Sequence, residues 1–143
     1  MSDTKKFSLV KPTVLTPLHI DFEWWKQHDN NWRVYLQSCL CSEHQAIFQN
    51  LNDNNLIDWV DPDTAEVHSV DGVQHILMTH CARQPDFLTN FTTMVDAVFR
   101  VLLANDNTPM NSQDLANQIG RPADTILRTL TGPVVYKGIR PCN

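Results

Sequence analysis

A mainly α chain is expected here: a helical N-terminal part with a small β-hairpin, then two short helices and a tiny closing hairpin. Three observations lead there. Apolar residues recur every three or four positions along most of the 143 residues, which is the period of one helix face. Only two stretches, residues 56–70 and 134–140, change to short runs bounded by turn residues, the mark of strands. Breaks rich in Gly, Pro and Asn fall where the helical runs stop.

Residues 1–18 are expected as an extended arm. Lys5, Lys6 and Lys11 lie near its front, and Pro12 and Pro17 resist helix. Residues 19–88 are expected as a helical segment with a β-hairpin. Asp21 is a good N-cap, and the following FEWWKQHD makes about two turns of helix. Asn30 and Asn31 break it. Trp32, Tyr35, Leu36, Cys39 and Leu40 then recur at helical spacing. Ser42 with Gln45 reads as a capping-box pair opening another helix, with Ile47, Phe48 and Leu51 inward. Trp24, Trp25, Trp32 and Tyr35 could form a base-stacking surface, but aromatics at this spacing are ordinarily core.

In residues 56–70, LIDWV, DPDTAE and VHSV form a hairpin with Pro62 and Thr64 in its turn. Ile57, Trp59, Val67 and Val70 are expected to cover a core. Asp58, Asp61, Asp63 and Glu66 lack the glycine and bidentate glutamate of a calcium loop, so they read as turn carboxylates in water. Asp71 with Gln74 opens the next helix. Val73, Ile76, Leu77 and His80 share its stripe, with Cys81 one turn beyond Leu77. Residues 90–104 make the most apolar helix. Phe91, Met94, Val95, Val98, Val101 and Leu102 form its buried stripe. Ala97, Phe99 and Leu103 widen that stripe, so the helix is covered on two sides. Asp96 and Arg100 are an i,i+4 pair on its exposed side. It is taken as the first helix of the C-terminal part, residues 89–143, sharing one core with what precedes it.

Asn111 caps the next helix, with Asp114 in the first turn and Leu115, Ala116 and Ile119 on one face. Gly120 ends it, because a residue just past a helix C-terminus commonly needs φ > 0. Pro122 suits the first position of the following helix. Ala123, Ile126, Leu127 and Leu130 face inward there, leaving Asp124, Thr125, Arg128 and Thr129 outward. Gly132-Pro133 stops it, and VVY-KG-IR reads as two tiny strands with Lys137-Gly138 at the turn.

This C-terminal block resembles the winged helix-turn-helix superfamily. Its LANQIGRPADTILRTL core is similar to the LAxxLGxxxxTVxRxL pattern of bacterial regulators. In that superfamily the second helix enters the DNA major groove and the wing touches backbone or minor groove. The resemblance therefore implies duplex contacts from Thr125, Arg128 and Thr129, with Arg121, Lys137 and Arg140 around them on phosphates. One short recognition helix buries little surface, so half-site pairing implies a homodimer.

Charge agrees in distribution more than in size. The chain carries −5, as −7 over residues 1–110 and +2 over residues 111–143. No run of about 18 apolar residues suggests a membrane span. The N-terminus lacks the apolar core of a secretory signal, so a cytoplasmic location is expected.

There are four cysteines, and disulfides are rare in cytoplasmic proteins. Free buried thiols with no metal are the plainer expectation. If an ion is held, two donor sets are open. Cys39, Cys41, Cys81 and Cys142 would suit zinc or an iron–sulfur cluster. Cys41, His44, His80 and Cys81 would suit zinc only. No paired C-x-x-C is present to choose between them.

No G-x-S-x-G, phosphate loop or H-E-x-x-H occurs, so the chain does not read as an enzyme. The expected function is a DNA-binding transcriptional regulator, with a Cys-ligated metal or iron–sulfur sensor site if one is present. The alternative is a winged-helix interaction or assembly module that does not bind DNA.

Overall fold

The computed structural model describes residues 11–48, 56–89 and 93–142, leaving out the side chains of residues 48, 56–59 and 68–70. Lys5, Lys6, Leu51 and Phe91 therefore lie outside the described residues, as do the side chains of Phe48, Ile57, Asp58, Trp59 and Val70. The described residues are mainly helical, with two small antiparallel sheets. They gather into two compact units, one built from both chain ends (Met1–Trp24 with Phe91–Asn143) and one from Trp25–Asn90.

The first unit begins with strand β1 (Leu18–Ile20) and the opening of helix α1 (Phe22–His28). Asp21 caps α1 as expected, accepting the Trp24 N–H at 3.1 Å. Helix α5 (Met94–Ala104) is the unit's centre. Thr93 caps it by accepting the Asp96 N–H at 3.1 Å. Every residue from Ala97 to Leu103 is buried, including Arg100. The Asp96–Arg100 pair forms at 3.1 Å, but its side chains are only 13% and 10% exposed. The expected exposed face is thus a covered one. Burying either charge without the other would be costly, so the two are covered as a pair.

Helix α6 (Ser112–Ile119) opens with a complete capping box between Asn111 and Asp114. It closes on Gly120 at φ +71°, in the left-handed region. Helix α7 (Ala123–Leu130) follows, with Pro122 at its N-cap rather than inside it. Leu115, Ile126 and Leu130 are buried between the helices, which pack on each other, and α6 packs on α5.

The closing residues differ from expectation. Lys137 and Gly138 do form a tight turn, both at positive φ, closed by the Ile139 N–H donating to the Tyr136 carbonyl at 2.9 Å. But Val134 and Val135 form no strand. Strand β4 (Ile139–Pro141) pairs instead with β1, Leu18 facing Pro141 and Ile20 facing Ile139. Leu18 also exchanges two backbone bonds with Met110, at 2.8 and 3.0 Å. The N-terminal strand wins because its alternation buries Leu18 and Ile20 beside Ile139, whereas Val134 stays 55% exposed. Burial of two aliphatic side chains outweighs a local hairpin. Asn107 locks the strand, its side-chain amide accepting from the Ile20 N–H and donating to the Ile20 carbonyl, each at 2.9 Å.

The second unit contains α2 (Trp32–Ser38), α3 (Ser42–Phe48), strands β2 (Leu56–Val60) and β3 (Val67–Asp71), α4 (Gly72–Thr79) and a 3-10 turn (Cys81–Arg83). Its core includes Trp25, Leu36, Cys39, Leu40, Val73, Leu77 and Phe87. Trp25 meets Trp32 and Tyr35 edge-on, with centroids 6.3 and 6.0 Å apart, which is packing geometry for aromatics. The hairpin β2–β3 is as expected, and Asp61 accepts the Asp63 N–H at 2.8 Å in its turn. Val67, however, is 63% exposed, since it lies at the open end of the ladder beside the turn. Ile47 is also exposed, against expectation.

Candidate metal centre

Two helix junctions in the second unit carry the site. Asp71 caps α4 by accepting the Gln74 N–H at 3.0 Å. Its other oxygen receives Arg33 from α2 at 2.7 Å. One carboxylate therefore fixes where α4 starts and ties it to α2, an ion pair that periodicity could not announce. Val73 and Leu77, wholly buried, then set the face of α4. The helix ends at His80, whose backbone leaves the helical region, and Cys81 opens the 3-10 turn. That turn is held by the Arg83 N–H on the His80 carbonyl at 3.0 Å and the Gln84 N–H on the Cys81 carbonyl at 3.2 Å.

The other junction lies between α2 and α3. Cys39 and Leu40 end the buried face of α2, and Cys41 turns the chain. Ser42 is already the first helical residue, so the expected Ser42–Gln45 capping box is not what opens α3. Cys41 stands just before the helix, its carbonyl accepting the Gln45 N–H at 2.8 Å. The Gln45 side chain instead donates back to the Leu40 carbonyl at 2.8 Å. This places Cys41 and His44 on the same side of the first turn.

The two junctions bring four donors together. The ligand atoms of Cys41, His44, His80 and Cys81 all lie within 4.8 Å of one another. Cys41 Sγ is 3.1 Å from His44 Nδ1, 3.8 Å from His80 Nδ1 and 3.5 Å from Cys81 Sγ. Cys81 Sγ is 3.7 Å from His44 Nδ1. The two imidazoles meet at 66°, with centroids 4.5 Å apart. Cys81 is buried and the other three are half-buried. Burial pushes the Cys81 thiol up to about 11, with the Cys41 thiol beside it adding to the rise. A bound cation would reverse that preference, because a coordinating thiol is deprotonated outright. Such a group of side chains could hold a metal ion.

The group contains two of the four cysteines, Cys41 and Cys81. Cys39 is buried in the α2 core outside this group, and Cys142 follows β4 in the first unit. The gathered set is one of the two that the sequence leaves open. The signal that separates them is tertiary, the packing of α2 against α4.

The residues expected to face DNA lie in the first unit. Arg121 and Arg128 are exposed, at the α6–α7 turn and on α7. Thr125 and Thr129 are half-buried on α7, and Lys137 is half-buried in its tight turn. Arg140 is engaged within the unit: it donates to Asp21 at 3.2 Å, and its guanidinium sits 5.1 Å from the Trp24 ring centroid. His19, Asp21, Arg140, Pro141 and Cys142 line an open cleft of about 490 Å³ beside this pair.

No family model matches the chain, and neither the curated proteins nor the solved structures yield a match.

Proposed function

We propose that the protein binds zinc through Cys41, His44, His80 and Cys81, and that it is a DNA-binding regulator stabilised by that ion. The observation carrying the zinc assignment is the size of the donor tetrahedron. Zinc bond lengths of about 2.3 Å to sulfur and 2.0–2.1 Å to nitrogen give tetrahedral edges of about 3.8 Å for S–S and about 3.6 Å for S–N. Four of the six edges run from 3.1 to 3.8 Å, and all six are within 4.8 Å. Two thiolates and two neutral imidazoles also balance the charge of a divalent ion, which suits a site with one buried and three half-buried donors. Four protein donors leave no open position, so the ion is structural and not catalytic. The mixed donor set favours zinc over an iron–sulfur cluster, which is held mainly by thiolates.

Elemental analysis of protein purified without chelator tests this directly. About one zinc per chain is expected, lost in Cys41→Ala and in His80→Ala. Iron with visible absorption, or no metal in reduced protein supplied with zinc, would overturn it.

A second observation favours DNA as the partner of the first unit. Arg121 and Arg128 are exposed around α7, in a C-terminal block, residues 111–143, whose net charge is +2. In this reading Arg128 contacts a base edge or phosphate, Thr125 and Thr129 flank it, and two copies pair across half-sites. Arg121 and Lys137 lie on phosphates; Arg140 would join them only by giving up part of its hold on Asp21. Fluorescence anisotropy with duplex DNA should show binding that falls steeply with added salt. Absence of binding to any duplex at about 50 mM salt would favour an interaction module instead.

A further inference from the structure

We propose that the centre is a redox switch in which Cys41 and Cys81 form a disulfide and release the metal. The proposal rests on the zinc reading above and adds its regulation. Their sulfurs are 3.5 Å apart although the residues are 40 positions apart in sequence, so closing to the roughly 2.05 Å of a disulfide needs a shift of about 1.5 Å. The two thiols differ in access: Cys41 is half-buried and Cys81 is 1% exposed. Cys41 is therefore the sulfur a small oxidant reaches, and Cys81 is the one that resolves it. Cys39 is close in sequence but lies buried in the α2 core, outside the donor group.

With a peroxide as oxidant, the Cys41 sulfur attacks one oxygen and the O–O bond breaks. Cys41 becomes a sulfenic acid, and the leaving hydroxide takes a proton to form water. The Cys81 sulfur then attacks the Cys41 sulfur. The S–S bond forms, and the expelled hydroxide takes a second proton. The two thiolates supply the two electrons that reduce the peroxide, and zinc leaves as the unchanged divalent ion. Two imidazoles alone do not hold it, because half the donors and all the anionic charge are gone. The new bond joins two of the four chain positions that the metal would hold. The oxidised unit loses its ion but keeps its cross-link.

The test uses the full zinc-loaded chain with Cys142→Ser, treated with hydrogen peroxide in the presence of a chromogenic zinc chelator. Expected is release of about one zinc per chain, with a Cys41–Cys81 linkage seen by mass spectrometry. Cleavage after Glu43 and Glu66 places the two cysteines on different peptides. A dithiol should restore zinc binding. The oxidised, metal-free protein should also melt near the zinc-loaded form and well above reduced, metal-free protein. Reduced protein that never takes up zinc defeats the zinc reading and this proposal together. Zinc bound at the start but retained under peroxide overturns the switch alone. So does zinc lost with a Cys39–Cys41 linkage, or with no linkage.

Discussion

Removing the proposed zinc should lower the melting temperature of the second unit and leave that of the first unchanged. Treatment with excess chelator under reducing conditions is the perturbation. The ion would tie Cys41 and His44 at the start of α3 to His80 and Cys81 at the end of α4. A cross-link closing a loop of about 40 residues restricts the unfolded chain by about 4 kcal/mol at room temperature. Mass action gives the same scale, about 4 kcal/mol when free zinc stands a thousandfold above its dissociation constant. A unit of about 65 residues has roughly 3–10 kcal/mol of stability in all. Loss of about 4 kcal/mol at 4–8 °C per kcal/mol lowers its melting temperature by roughly 15–30 °C. Circular dichroism and tryptophan fluorescence would follow the two transitions, since Trp25 and Trp32 both report from the second unit. Hydrogen exchange would locate the change, with protection lost in α2 and α4 and kept in α5, α6 and α7. Superimposable melting curves from samples shown to differ in zinc content would refute the reasoning. So would a loss of protection centred on α5.

Arg128→Ala should weaken binding to a specific duplex by about 1–3 kcal/mol if the guanidinium reads a base; unchanged anisotropy titrations would remove it from the interface. Arg140→Ala should instead lower the unfolding free energy by up to about 1 kcal/mol, read in a denaturant titration, since the pair it forms with Asp21 is partly exposed. Gly120→Ala tests backbone conformation alone, because an added Cβ meets nothing within 4 Å at φ +71°. It should cost roughly 1–2 kcal/mol, and a smaller loss for Gly120→Asn is the matching control. Asn111→Ala removes the side-chain half of the α6 capping box, the bond accepted from the Asp114 N–H, and should cost about 1 kcal/mol by urea titration.

Features that depend on neighbours a few residues apart are legible in the sequence itself. Asp21, Asp71 and Asn111 cap the helices that their positions in the chain assign to them, Gly120 takes the left-handed conformation, and β2 pairs with β3. Each follows from one turn's worth of backbone hydrogen bonding or from a side chain's local preference. The Ser42–Gln45 cap fails because Cys41, one residue earlier, occupies the position before the helix.

Contacts between distant positions are settled only by packing. β4 pairs with a strand more than a hundred residues away rather than with its own neighbours, because that strand brings two aliphatic side chains into the core. Arg140 counts as a basic residue from its letter alone, but its hold on Asp21 spans 119 positions. The cysteines and histidines are visible as donors in the sequence, with two sets of four both open. Packing of α2 against α4 selects Cys41, His44, His80 and Cys81. Caps and turns answer to short-range geometry, which is written in adjacent residues. The meeting of two helix ends answers to the burial of their apolar faces, and that depends on the whole unit at once.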